Sequence, residues 1–135
     1  MKFLVDANVL SEVTRPDPNI AVVDWLREHE RDIVVTPIVL GEIEHGIGLT
    51  SSSRKRKALE IWFAEGLKRL RVIEIDTGTA SVWANLLVRL KKKGRKMLVK
   101  DSLIAASAMQ HKLSIVTRNI SDFQHAGVPL INPFE

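Results

Sequence analysis

Met1-Lys2-Phe3-Leu4-Val5-Asp6-Ala7-Asn8 is the stretch of sequence that decides the fold. Its apolar run ends at Asp6, and Asn8 follows two positions later. An apolar run that is closed by an acid is typical of a buried strand whose carboxyl end presents that acid to a crevice. A carboxylate in such a place is costly without a partner. We therefore expect Asp6 to belong to a functional site rather than to an ordinary turn.

Strand and helix patterns alternate along the rest of the chain. Short β-branched or alternating runs predict further strands at 33–35, 72–75 and 114–117, and a short edge strand at 129–131. Helix-start signals precede the amphipathic stretches between them, at Asn19, Thr36-Pro37, Ser51 to Ser53 and Asp76-Thr77. Such alternation is typical of a parallel sheet covered on both faces. We predict an α/β fold, a three-layer α/β/α sandwich with a mostly parallel sheet of four to five strands.

Length and composition narrow the possible classes of protein. A chain of 135 residues predicts a single domain over 1–135 that buries a real core. It has no cysteine and no tyrosine, so disulfides, thiolate zinc sites and cysteine or tyrosine nucleophiles are excluded. Neither a signal-peptide core nor an apolar run of about 20 residues is present. We expect a cytoplasmic bacterial protein with no membrane partner.

The charge distribution favours an anionic partner. The formal net charge is +4, and basic residues cluster at Arg54 to Lys57, at Lys68-Arg69 with Arg71, and at Lys91 to Lys93 with Arg95-Lys96. Any one cluster is equally well explained as a solvated helix face. Together they favour steering of nucleic-acid phosphates. Because an acidic pocket alone would repel nucleic acid, acids with basic flanks imply a cation between them.

Three more acids are placed to join Asp6. Glu42 lies in the helix after the second predicted strand, Asp101 opens the helix before the fourth, and Asp122 follows the fourth. In an open parallel sheet, ligands bind beyond the carboxyl ends of the strands. Carboxylates gathered there suit Mg²⁺, and phosphodiester cleavage uses one or two such ions. The pattern therefore predicts a divalent-metal site.

Each of these acids also has a structural alternative. Asp101 is equally suited to capping a helix, and Asp122 to completing a capping-box turn with Asn119. A helical wheel places Glu42 and Glu44 on opposite flanks of the apolar stripe, so periodicity leaves the choice between them open. The position of Glu42 nearer the helix start favours it modestly.

The order and spacing of four segments carry a resemblance to a known family. These segments are Leu4 to Glu12, Thr36 to Gly46 around Glu42, Lys100 to Ala108, and Thr117 to Asn119 with Asp122-Phe123. The chain resembles a PIN domain of the VapC/FitB type, the toxins of bacterial toxin–antitoxin pairs. The resemblance extends to the terminal segment 131–134. The chain departs from the family where Met97-Leu98-Val99 replaces a common proline and where Ser107 replaces threonine.

The resemblance implies an activity and a set of site residues. It implies an endoribonuclease that uses Mg²⁺ or Mn²⁺ and hydrolyses RNA by activating water. It implies metal ligands at Asp6, Glu42, Asp101 and Asp122, which decides for Glu42 over Glu44. Polar residues beside the metal correspond to Thr117 and Asn119. Phosphate contacts are expected among the nearby basic residues Arg95, Lys96, Lys100 and Arg118.

The resemblance also implies protein partners. A cognate VapB-like antitoxin would wrap the toxin and send a basic side chain into the acid pocket, and the toxin itself would form a homodimer. Apolar residues around Trp25, Ile61 and Trp62 are candidates for the antitoxin groove or the homodimer face. Ordinary core packing explains each of them equally well.

Other readings of the same residues compete with a nuclease. A binding module with the same fold and no catalysis is the main one. Phosphatase and receiver domains also place an acid after the first strand, but they need a second acid where Asn8 stands or a pair of acids after Val5. His45 follows Glu42 at the spacing of di-iron bundles. Without a second such pair, it is expected on the helix surface.

Overall fold

A parallel sheet forms the centre of the molecule. The computed structural model describes the backbone of residues 1–135 and every side chain except that of Lys68, so that residue of the basic-cluster prediction lies outside the described side chains. Within this description the sheet has five strands in the order β3-β2-β1-β4-β5, and every neighbouring pair is parallel. The strands are β1 Phe3–Val5, β2 Ile33–Val35, β3 Arg71–Val72, β4 Ser114–Val116 and β5 Leu130–Ile131. The predicted parallel α/β fold is confirmed.

Helices cover both faces of this sheet. Leu4 and Val5 are fully buried, and successive strand residues point to opposite faces, so both faces of β1 are covered. The helices are α1 Ala7–Glu12, α2 Ile20–Glu28, α3 Pro37–Gly48, α4 Ser53–Gly66, α5 Thr77–Lys92, α6 Val99–His111 and α7 Ile120–Phe123. Within the part of the chain described, none of these helices has the length and apolarity needed to cross a bilayer.

Local capping signals determine where several helices begin. The side chains of Asn19, Thr36 and Ser52 each accept a hydrogen bond from a backbone N–H three residues later. These are the predicted starts of α2, α3 and α4, and Pro37 occupies the first turn of α3 as expected. The small residues of α6 are buried as predicted, which lets that helix lie close to its neighbours.

Two details differ from the sequence-based prediction. Strand β3 ends at Val72 rather than at residue 75, because the chain turns away to the N-cap of α5 soon after Ile73 bonds to Val35. Ile61, for which the sequence left core packing as an alternative, is 58% exposed. The partly buried face of α4 carries Leu59, Trp62 and Phe63, which pack against the core, and Ile61 lies off that face.

A polar junction joins the start of α5 to the end of α6. The Asp76 Oδ1 atom accepts hydrogen bonds from the backbone N–H of Thr79 at 2.9 Å and from the side-chain amide of Gln110 at 3.0 Å. The Thr79 hydroxyl in turn accepts from the Asp76 backbone N–H, which completes a capping box. The Thr79 N–H, then the Gln110 amide and the Thr79 hydroxyl, lower the pKa of Asp76 from 3.8 to about 2.

Replacing Asp76 by alanine is expected to destabilise the protein in a pH-dependent way. A carboxyl whose pKa is lower in the folded state stabilises that state fully above its unfolded pKa of 3.8 and loses this effect as the pH falls toward about 2. The difference in urea midpoint between Asp76→Ala and the wild type should be largest above pH 4 and shrink below it. Asp24→Ala, which removes an exposed acid of α2, is the control. A gap that stays constant with pH would contradict the role of the charge.

Candidate active site

Asp6 occupies the carboxyl end of the central strand β1. Its backbone N–H still bonds to the carbonyl of Val116 in β4, at 2.9 Å. Its Oδ1 atom accepts the N–H of Ala7 at 2.9 Å and so caps α1. Its Oδ2 atom accepts the hydroxyl of Thr117 at 2.8 Å and the amide of Asn8 at 3.2 Å. With its side chain held by these donors and 7% exposed, Asp6 has one defined orientation at the crevice.

Asn8 and Thr117 join the loops that follow β1 and β4. The Thr117 hydroxyl is fully buried and accepts the backbone N–H of Asn119 at 3.0 Å. The Asn8 Oδ1 atom accepts the backbone N–H of Arg118 at 3.1 Å. This role of Asn8 was not predicted, although its position two residues after Asp6 was the signal that the sequence offered. The exposed Asn119 acts here through its backbone, and its side chain does not cap α7.

Asp101 lies in the first turn of α6. The N-cap of this helix is Leu98, so the alternative that Asp101 caps the helix is wrong. The Asp101 side chain is buried at the crevice and 8% exposed. Burial, followed by the negative charges of Asp122 and Asp6, raises its pKa from 3.8 to about 6.

The electrostatics of Asp101 relate all the predicted acids to one crevice. Asp122 lies exposed on α7, beyond the end of β4, and exerts the largest charge effect on Asp101. Asp6 and Glu42 raise the same pKa, and the Lys100 ammonium opposes them. Three carboxylates from separate parts of the chain therefore lie near enough to Asp101 for their negative charge to raise its pKa.

Glu42 reaches the crevice from α3 and forms an ion pair there. Its Oε2 atom lies 3.0 Å from the Lys100 Nζ atom, and this contact raises the pKa of Lys100. Its Oε1 atom is buried and has no hydrogen-bond partner among the described atoms. Glu44 is exposed on α3 and borders Phe63 of α4 instead. The structure thus brings Glu42, and not Glu44, to the other acids, and His45 lies exposed as expected.

The donor atoms at this crevice suit a hard divalent cation. They are carboxylate oxygens, the ligand type that Mg²⁺ and Mn²⁺ prefer together with water. The buried, unpartnered Glu42 Oε1 atom and the mutual repulsion felt at Asp101 both leave negative charge to be compensated. Among the described side chains, no group of three or more acids or imidazoles lies close enough together to hold a metal ion by itself.

Comparison with known proteins gives the family. Residues 3–128 match the PIN domain, and the chain belongs to the PIN domain family. Toxin FitB of Neisseria gonorrhoeae is 32% identical over 136 aligned residues that cover 98% of each sequence. VapC ribonuclease Y4jK of Sinorhizobium fredii is 29% identical and is likewise covered to 98%. In the crystal structure of FitAcB from Neisseria gonorrhoeae, a chain 31% identical to this one superposes with a TM-score of 0.92, covering 98% of this chain and 99% of that one.

Replacing Asp101 by asparagine is expected to stabilise the protein when divalent cations are absent. A carboxyl whose pKa rises from 3.8 to about 6 on folding makes stability fall as the pH rises between those values. At pH 7.5, Asp101→Asn should gain roughly 1 to 2 kcal/mol in free energy of unfolding, after allowance for solvent screening at the crevice mouth. The gain should vanish below pH 4. Urea denaturation in a chelating buffer measures this gain, with Asp24→Asn as the control. An Asp101→Asn protein less stable than the wild type at pH 7.5 would contradict the raised pKa.

Proposed function

We propose that this protein is a metal-dependent endoribonuclease and the toxin of a toxin–antitoxin pair. Relatives that align over nearly the whole chain carry the names Toxin FitB and VapC ribonuclease. The observation that carries the proposal is the crevice at the carboxyl edge of the sheet, where burial and then three neighbouring carboxylates raise the pKa of Asp101. The family match over 3–128 also supports one nuclease domain over 1–135. Because the proposed substrate is RNA, we place its action in the bacterial cytoplasm.

The metal site in this proposal consists of acids from four parts of the chain. Asp6, Glu42, Asp101 and Asp122 would hold one or two ions, some of them through water, and Mg²⁺ or Mn²⁺ is the proposed metal. When bound, such an ion polarises the phosphodiester and lowers the pKa of water. Its positive charge would also offset the repulsion that now acts on Asp101.

The neighbouring polar groups hold this site in place. The Thr117 hydroxyl and the Asn8 amide both donate to Asp6 Oδ2, so Asp6 presents a fixed carboxylate. The Asn119 N–H holds the Thr117 hydroxyl in turn. We assign Thr117 and Asn119 to orienting the site, with Thr117 acting directly on Asp6. Supporting groups of this kind set the geometry and basicity of a metal ligand.

The basic residues differ in how near they lie to the acids. Lys100 forms its ion pair with Glu42, and Arg118 bonds through its backbone to Asn8. Arg95 and Lys96 line a separate, mainly apolar cavity of about 380 Å³. We therefore propose that Lys100 and Arg118 contact the phosphates next to the scissile bond. The two other residues are better placed to bind RNA farther from the cut.

Asp6→Asn is expected to abolish RNA cleavage and leave the protein folded. It keeps the size of the side chain and the acceptor for the Ala7 N–H, but it replaces the oxygen that accepts from Thr117 and Asn8 by an N–H2 group and removes a negative charge from the crevice. We expect cleavage of single-stranded RNA to fall by more than about a hundredfold, the range seen when metal sites are disrupted. The wild-type products should carry 5′-phosphate and 3′-hydroxyl ends, and a chelator should stop the reaction.

Thermal melting provides the matching control. Mn²⁺ should raise the melting temperature of the wild type, since a ligand that binds the folded state stabilises it, and should affect Asp6→Asn much less. Asp24→Asn removes one carboxylate outside the crevice and should cleave and melt like the wild type. Normal cleavage by Asp6→Asn would overturn the site. A wild type that binds Mn²⁺ without cutting RNA would favour the non-catalytic binding module.

The surface beside the acids supports an antitoxin partner. Trp62 lines an apolar cavity of about 310 Å³ together with Leu26 and Leu67. Trp62 also lines a second cavity of about 350 Å³ that extends to Asn8 and Glu42. A helical segment bound along these cavities would bring one of its ends to the acids. This is the path that an antitoxin needs if its basic side chain enters the crevice.

The other apolar residues suit different roles. Trp25 packs edge-on against Phe3, with ring centroids 5.0 Å apart, and so belongs to the folded core. Leu98 and Val99, at the start of α6, are exposed beside the cavity that Arg95 and Lys96 line. For the proposed homodimer, this patch is a better candidate than the surface around Trp25.

Trp62→Ala is expected to weaken capture of the antitoxin. Coexpression with the product of the adjacent gene should yield a stable complex. Light scattering measures the stoichiometry of that complex. Because a buried aromatic anchor carries much of the binding energy of an interface, the variant should lose at least about tenfold in affinity. Ile61→Ala changes an exposed residue of the same helix and should bind normally. A toxin that forms no complex, or a Trp62 variant with full affinity, would count against this partner surface.

A further inference from the structure

A polar cavity of about 530 Å³ lies beside the acid crevice. Its walls come from the segment between α1 and α2, from the loop after β4 and from the C-terminal segment. We call it the base pocket and define it by Arg15, Asp17, Arg118 and Phe134, which all line it. Its volume is in the range of sites that hold small organic groups. Of these four residues, only Arg118 was given a role above, as a contact for a phosphate next to the scissile bond.

Two short hydrogen-bonded links connect the base pocket to Asp6. Arg118 directly follows Thr117, whose hydroxyl donates to Asp6 Oδ2 at 2.8 Å. The Asn8 side chain bonds both to Asp6 Oδ2 and to the Arg118 N–H. An RNA strand whose phosphate lies at Asp6 would therefore pass the mouth of the base pocket with an adjoining nucleotide.

One wall of the base pocket is a stacking surface. The Arg118 guanidinium carbon lies 4.7 Å from the centroid of the Phe134 ring. Phe134 is held in place by its own N–H, which bonds to Asn132 Oδ1 at 2.9 Å, and by the buried Pro133. Sequence-specific recognition of single-stranded RNA stacks unpaired bases on aromatic rings and on guanidinium planes. This layered pair is a surface of that kind.

The rest of the lining carries both hydrogen-bond acceptors and donors. Glu12 is buried and already accepts the Asn19 N–H at 2.8 Å, so it holds the loop rather than a ligand. Asp17 makes no hydrogen bond or ion pair with any described residue, and its exposed carboxylate accepts only. Arg15 is mostly exposed and makes one long contact with Glu12, at 3.6 Å, which leaves guanidinium N–H groups to donate. The lining thus offers both an acceptor, at Asp17, and a donor, at Arg15.

Adenine and cytosine also carry a donor and an acceptor, but only guanine offers two adjacent acceptors to an arginine and two adjacent donors to a carboxylate. Its O6 and N7 atoms accept hydrogen bonds from arginine, and its ring and exocyclic N–H groups donate to a carboxylate. A pocket that bound only phosphate would not also contain an unpaired carboxylate, because the carboxylate and the phosphate are both negative and would repel each other. We propose that the base pocket binds a guanine base of RNA beside the scissile phosphate and so sets the sequence preference of cleavage. This inference rests on the proposed ribonuclease function.

End-sequencing of a cleaved random RNA pool tests the proposal. The wild type should show guanine enriched at one fixed distance from the cut, and Asp17→Ala should reduce that enrichment about tenfold, the effect of losing one base-edge contact. Asp24→Ala carries the same change of charge outside the pocket and should keep the enrichment. Phe134→Leu should weaken it by removing the ring, and Phe134→Trp should preserve it, because the larger ring still stacks.

A binding measurement separates this inference from the proposed function. In the Asp6→Asn protein, GMP should shift the NMR signals of Arg118 and Phe134, and CMP should not. In the double variant that also carries Asp17→Ala, GMP should no longer shift these signals. If the wild type cuts no RNA, the proposed function fails and the GMP titration still decides the pocket. Cleavage with no guanine preference, or with a preference that Asp17→Ala keeps, overturns the pocket alone. If the Asp17→Ala protein keeps the guanine preference but no longer binds the antitoxin, Asp17 is a contact for the partner protein, and the proposal is overturned as well.

Discussion

The hydrogen bond from the Thr117 hydroxyl to Asp6, 2.8 Å long and spanning 111 positions of sequence, is the contact on which the site depends. It forms because β1 and β4 are parallel neighbours, so the residues that follow them leave the sheet at the same edge. Both partners are buried, and a buried carboxylate without such donors would be costly. The loop after each strand is then tied to the other through Asn8.

The charges at this edge explain how a basic protein keeps an acidic crevice. Burial, and after it the repulsion from neighbouring carboxylates, raises the pKa of Asp101, and the Lys100 ammonium, which pairs with Glu42, partly opposes this rise. Such an arrangement sacrifices some stability, which is common where groups are positioned for function rather than for folding. Arg118 of the base pocket directly follows Thr117, whose hydroxyl bonds to Asp6 at the crevice. A strand of RNA crossing that edge would meet the metal ligands and then the base-binding surface.

Local signals in the sequence were enough to predict the framework. Apolar β-branched runs predicted the strands, and Asn19, Thr36, Ser52 and Asp76 each cap the helix expected after them. These signals are read correctly because capping and periodicity involve neighbours within one turn of helix. The order and spacing of the acidic motifs also carried the family resemblance, which the match over 3–128 confirms. The roles of the individual acids stay predictions that rest on that resemblance and on their common crevice.

By itself, therefore, the sequence determined the parallel α/β fold, the helix starts and the placement of Asp6 at the end of a buried strand. Only the tertiary structure decided which groups meet across long separations. Lys100 pairs with Glu42 over 58 positions, Glu44 turns toward α4, and Asp101 lies inside its helix instead of capping it. The physical reason is that periodicity fixes the face of a helix but not the neighbour packed against it. The base pocket is the clearest case, because segments from opposite ends of the chain form it and neither end carries a signal for the other.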